Sequence, residues 1–241
     1  MLVLRLMTNQ DYQKNTLMEL MNIEEFKIQI NSNKSTATNP EPKNIKISKT
    51  SLNPYDSKNI NDLTSIVHNF LVEKSLKLPN NEINLVEGNK DSKILFLYGY
   101  CKKSDTKIID GEEGVLFDKM LNAIDISRND ISLLSYVPRQ LEDLKDNEEF
   151  NLFNQLMNYK LIELLNPKYL ILLGNFPIKM LLGSDLSSMS LRGKWFDFNT
   201  PNDTIPKKTR VLYEPKILIN NPDLKKDAWQ DLKDIKAQIG G

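Results

Sequence analysis

Four apolar runs of strand length, each followed by a stretch with helical spacing, constrain this chain more than any other feature. The runs occupy residues 93–98, 131–137, 169–173 and 209–213 and are rich in Ile, Leu, Val and aromatic side chains. Continuous apolar runs of this length suit strands buried on both faces. The stretches 114–124, 148–165, 176–182 and 223–237 carry apolar residues at helical intervals, such as Phe150, Phe153, Leu156, Met157, Leu161 and Leu165. Asp223, after Pro222, is placed to cap the last of these helices through its carboxylate. Strands alternating with helices predict a parallel sheet covered on both sides by right-handed crossovers. The expected fold is therefore α/β, three-layer α/β/α with a four-stranded parallel core sheet. Ligands of such sheets gather at the carboxyl ends of the strands. Here those ends are residues 98–102, 135–139, 174–175 and 214–216.

The region before this pattern reads differently. Leu17, Met18, Leu20, Met21, Ile23 and Phe26 fit an amphipathic helix within residues 10–27. Residues 31–61 are rich in Asn, Ser, Thr, Lys and Pro, a composition too polar to build a core. The helical stripe resumes with Leu63, Ile66, Val67, Phe70 and Leu71. The domain reading is a helical extension over 1–30, a flexible linker over 31–61 and one globular domain over 62–241. His68, the only histidine, falls off the apolar stripe and reads as a solvated helix residue.

Lys plus Arg and Asp plus Glu both total 32, so there is no global basic field, and nucleic-acid contact has to rest on a local patch. Cys101 is the only cysteine, which excludes an intrachain disulfide and a four-thiolate cluster. It reads as a small, partly buried residue. The apolar start is too short for a secretory leader, and no run of eighteen apolar residues exists, so a cytoplasmic protein without a membrane span is expected. A monomer is expected as well.

The C-terminal sixty residues carry the most specific motifs: Leu191-Arg192-Gly193-Lys194-Trp195, then Tyr213-Glu214-Pro215-Lys216 leading to Asn221-Pro222, then Lys225-Lys226-Asp227-Ala228-Trp229. Together these resemble the end of the iron–sulfur (family four) uracil-DNA glycosylases, which read "LRGRW", "YHPAYLLRNP" and "KREAWEDLK". Upstream, "KILFLYGYC", "GVLFDKML", "PKYLILLG" and "KMLLG" follow the same family in order and spacing. The resemblance covers roughly residues 75–237, and the segment before it resembles the N-terminal extension of some bacterial members.

The resemblance implies base flipping into a pocket, with a stacking ring, an amide reader, a positioned water and a donor for the departing uracil anion. At the four corresponding positions this chain carries Gly99, Ile109, Ser135 and Glu214. None supplies the expected group, and a carboxylate at 214 would repel a developing anion. The cluster ligands correspond to Lys74, Arg139 and Asn154, so no iron, other metal or further cofactor is expected.

DNA remains the partner that the family implies. Lys216, Ile217, Leu218 and Ile219 would form a minor-groove wedge. Arg192, Lys194, Lys207, Lys208 and Arg210 would join Lys216 in contacting phosphates, or all would be ordinary solvated cations. Asp110, Glu112, Glu113 and Glu214 oppose such contact. Trp195 and Trp229 read as core anchors rather than stacking platforms. Three functions follow: a catalytically impaired member with DNA binding in a base-excision-repair context, an active glycosylase using Glu214, Asp105 or Asp110, or a protein-interaction module on the same fold. A basic rim around Lys216 would favour DNA and an acidic one protein.

Overall fold

The computed structural model describes residues 52–74, 83–102, 104–144, 146, 148–182 and 187–240. The helix expected within 10–27 and most of the 31–61 linker lie outside the described residues. Where the two overlap, the linker reading needs correction. Pro54 and Ser57 are buried, and the Tyr55 hydroxyl donates to Glu163 Oε1 at 3.0 Å. Residues 52–59 thus belong to the domain. Their composition is loop-like, but a few apolar and hydrogen-bonding contacts suffice to fix a short strap on a preformed surface.

All four expected strands form. They are β2 (Ile94–Tyr100), β3 (Ser132–Val137), β4 (Tyr169–Leu173) and β6 (Lys207–Leu212), and they pair in parallel in the order β3-β2-β4-β6. Two antiparallel edges extend the sheet to six strands: β1 (Glu87–Gly88) beside β3, and β5 (Trp195–Phe198) beside β6. Both escaped the sequence reading because edge strands need no continuous apolar run.

Helices α1 (Ile60–Glu73), α3 (Glu148–Leu165) and α4 (Asn175–Leu182) cover one face. Helices α2 (Gly111–Asn122), α6 (Pro215–Asn220) and α7 (Lys225–Ile239) cover the other, and the short α5 (Ser188–Leu191) precedes β5. The strands divide their side chains between two cores by simple alternation. Leu95, Leu97, Leu170 and Leu172 enter the first, and Phe96, Ile171 and Leu173 the second. Each such side chain contributes roughly 1.5–3 kcal/mol when fully buried, so both layers are strongly held to the sheet.

Caps set several boundaries. Asn59 accepts from the Asp62 backbone at the start of α1, and Asp110 accepts from Gly111 at the start of α2. Asp223 is not the cap expected of it: it lies in the 3-10 turn Pro222–Leu224, and α7 starts without a side-chain cap. Trp195 is partly buried, in edge-to-face contact with Tyr169. Trp229, read as a core anchor, is instead 46% exposed, a second correction.

Candidate active site

The ends of β2, β3, β4 and β6 converge, and the four residues singled out from the sequence lie at or near them with their space or their hydrogen bonds already used. A Cβ added at Gly99 would lie 3.2 Å from the Phe176 Cβ, and the Phe176 ring packs edge-on against Tyr100 and Tyr136. An aromatic ring therefore presses on the backbone where an acidic side chain would have to emerge.

Ile109 is a buried part of the core beneath α2 and adopts a left-handed backbone, φ 59°. This conformation costs a β-branched residue on the order of 1–3 kcal/mol. Arg128 holds it in place. Its guanidinium donates to the Ile108 and Ile109 carbonyls at 2.6 and 2.8 Å and to Asp118 at 2.6 Å. Gly114 completes the fit, since a Cβ there would stand 2.5 Å from the Ile109 carbonyl oxygen.

Ser135 is buried and its hydroxyl donates to the Val137 carbonyl at 2.7 Å. It lines a cavity of about 50 Å³ with Cys101, Ile108, Pro138 and Arg139 among others. A water occupies about 30 Å³ and typical ligand pockets about 300–1,000 Å³, so this space suits a water rather than a pyrimidine. Burial pushes the Cys101 thiol up to about 11, partly offset by its hydrogen bonding with Ser135.

Glu214 ends the loop after β6 and precedes Pro215 at the first position of α6. Its carboxyl is half-buried above Gly174. Desolvation and then the neighbouring Glu113 raise its pKa above the ordinary value, while Lys216 pulls the other way. Glu113 accepts from the Tyr98 hydroxyl at 2.8 Å, and Tyr98 titrates well above the usual tyrosine range, chiefly through burial. Tyr98, Glu113 and Glu214 thus form one acidic group at the strand ends. Neither Tyr98 nor its pairing with Glu113 was legible in the sequence, because their meeting depends on how α2 lies across β2.

Outside this group opens a cleft of about 530 Å³ between the start of α2 and α6, lined by Lys102, Asp105, Asp110, Glu112, Glu113 and Lys216 among others. The Asp110 carboxylate accepts from the Thr106 hydroxyl and backbone at 2.7 Å each, which holds it far below the usual range. Asp105 accepts from the Lys102 backbone at 2.8 Å. Four carboxylates face two lysines here.

The three residues that the resemblance sets at cluster positions have other partners. Lys74 stands over the Phe70 ring, Arg139 donates to the carbonyls of Asp105 and Thr106, and the Asn154 amide donates to the Tyr136 carbonyl at 2.9 Å. Among the described residues no three His, Cys, Asp or Glu side chains gather as a metal site.

The expected phosphate contacts are largely committed elsewhere. Arg210 is buried, bonded to Asp231 and Asp234 at 2.9 and 2.7 Å. Arg192 pairs with Asp231 at 2.5 Å and Asp227 at 3.0 Å and lies over the Tyr213 ring. Lys207 is buried against Asp203, and Lys208 pairs with Asp197 on the surface. Arg210 and Lys207 are corrected on this account: both faces of β6 are covered, so Arg210 on one face and Lys207 on the other lie inside the protein, where aspartates neutralise them. Leu218 is likewise a core residue rather than part of a wedge, Ile217 is half-buried, and Lys194 and Lys216 remain exposed. No helix among the described residues is long and apolar enough to cross a membrane.

A search against family models matches residues 101–233 to the family described as the uracil DNA glycosylase superfamily.

Proposed function

The chain belongs to the uracil DNA glycosylase superfamily, and we propose that it is a member that has lost base excision and works as a binding module. The observation that carries this reading is the cavity at the ends of β2 and β3, at about 50 Å³ too small for a base. Three further features support it. Phe176 fills the space next to Gly99, Ser135 spends its hydroxyl on its own strand, and Glu113 with Glu214 puts negative charge where a uracil anion would need a donor. Losing a single preorganised donor costs roughly 10²–10³ in rate. The motif resemblance supports a member near the iron–sulfur branch of the superfamily, with Lys74, Arg139 and Asn154 in place of its thiolates.

The acidic cleft favours a protein over duplex DNA on this face. Phosphate binding needs cations free to displace counterions, and Arg192, Lys207, Lys208 and Arg210 are each paired with aspartates. The setting in DNA repair, the cytoplasmic location and the monomeric state belong to the same proposal.

A second reading has one observation in its favour: a half-buried carboxyl with a raised pKa can act as a general acid or base. The deciding experiment is base release from single- and double-stranded DNA containing uracil and other deaminated bases, comparing the wild type with Glu214→Gln. No release by either protein is the expected result. Release by the wild type that is lost in Glu214→Gln establishes the second reading.

A further inference from the structure

Helix α7 segregates its charges. At 3.6 residues per turn, Lys225, Lys226, Trp229, Lys233 and Lys236 share an arc of about 100° on one flank. Asp227, Asp231 and Asp234 lie on the other. The aspartates are occupied: Asp227 and Asp231 bind Arg192, and Asp231 and Asp234 bind Arg210. Ala228, Leu232 and Ile235 fix the helix to the core. The lysine flank therefore stands out from the protein, uncompensated by the helix's own acids. Of its four lysines, Lys236 pairs with Asp125. Lys225, Lys226 and Lys233 are exposed and make no ion pair among the described residues. In their midst the Trp229 indole is 46% exposed, with Lys233 Nζ 6.0 Å from its ring centre.

We propose that this flank of α7 is a contact surface for single-stranded nucleic acid, with Trp229 as the stacking platform and Lys225, Lys226 and Lys233 as the phosphate contacts. An exposed indole ringed by cations is the combination that single strands exploit: every base offers a π-face and every linkage a phosphate. Protein interfaces are depleted of lysine around their aromatic anchors, whereas here the neighbours on the helix are lysines and Gln230. Asp223, before the helix, is an exposed carboxylate near the start of the flank, and Asp125 faces Lys236 at its other end. Duplex DNA keeps its bases stacked and offers Trp229 no partner. This surface owes nothing to the strand-end cleft, so its fate is independent of the excision question.

The test is a titration of the full chain with a labelled oligothymidylate of about twenty nucleotides, followed by anisotropy and by tryptophan emission. The chain has two tryptophans, so Trp229→Ala leaves Trp195 as an internal reference for the fold. Binding at low salt is expected, with emission quenched in the wild type but not in Trp229→Ala. That variant should bind about 5- to 150-fold more weakly, the range for one lost base stack. Three phosphate contacts on a single strand give a slope of about −2 for log K against log salt. Each of Lys226→Gln and Lys233→Gln should flatten that slope by about 0.7. The proposal is overturned by absence of binding at low salt, by affinity unchanged in Trp229→Ala and the lysine variants, or by tighter binding to polyglutamate or duplex than to the single strand.

Discussion

Glu214 closes over Gly174 so tightly that a Cβ on the glycine would stand 2.9 Å from the glutamate Oε2 and 3.2 Å from its Cβ. Gly174 also sits at φ 83°, in the left-handed region. The turn after β4 is thus shaped twice for glycine, once by the backbone and once by the carboxyl above it. Gly174→Ala should destabilise the protein by about 1–3 kcal/mol, read from chemical denaturation. Adding Glu214→Ala should recover the contact part of that loss and leave the backbone part. Full recovery in the double variant would show that φ carries no cost there.

The raised Glu214 carboxyl makes a pH prediction. A carboxyl whose pKa is higher folded than unfolded holds more protons in the folded state just above its ordinary value. Stability therefore falls as pH rises through that window and stays reduced above it. Glu214→Gln removes the desolvated charge, so it should raise the melting temperature at pH 7 relative to the wild type. The gain should shrink as pH falls below the ordinary glutamate range. A pH-independent difference between the two proteins would show that the carboxyl is not perturbed.

Arg210 and Asp231 form a buried pair, with Arg192 completing the network from the surface. Removing one partner of such a pair costs about 3–5 kcal/mol, because the other charge is left uncompensated. Arg210→Met leaves Asp231 with Arg192 alone, so it should lose stability towards the lower end of that scale, whereas Lys208→Ala, on an exposed pair, should change it by less than about 1 kcal/mol. Equal effects in a denaturant titration would contradict the burial difference.

Cys101 offers a clean chemical probe, since it is the only thiol in the chain. It is buried with its pKa pushed up to about 11, and the thiolate is the reactive form. Alkylation at pH 8 should be slow in the folded protein and rapid in denaturant. Fast labelling of the folded protein would show that the small cavity beside Ser135 opens readily to solvent.

The four parallel strands were legible because burial on both faces writes itself into the sequence as uninterrupted apolar runs. The edges at Glu87 and Trp195 were not, since strands of two and four residues are too short to carry a pattern of their own. At the site the residues themselves were visible: Gly99, Ser135 and Glu214 were singled out by the motif resemblance alone. What occupies the vacated space was not. Phe176 reaches Gly99 from α4, Tyr98 reaches Glu113 across a helix–strand packing, and Arg128 fixes Ile109 from nineteen positions away. The same holds for Arg210, whose side chain reads as a surface cation until strand alternation turns it towards Asp231. Trp229 failed for the opposite reason: an aromatic residue at helical spacing looks like core, but it sits one step around the helix from the buried stripe.

The Glu163 Oε1 oxygen accepts from Tyr55 at 3.0 Å, from the Thr200 hydroxyl at 2.8 Å and from the Asn202 backbone at 3.2 Å. One side chain on α3 thus ties the strap that leads into the domain to the loop between β5 and β6. Tension on the chain ahead of Leu52 is met by the packed strap but does not end there. It also reaches, through a single acceptor, the loop of the outermost strand pair, on the side of the sheet opposite β1.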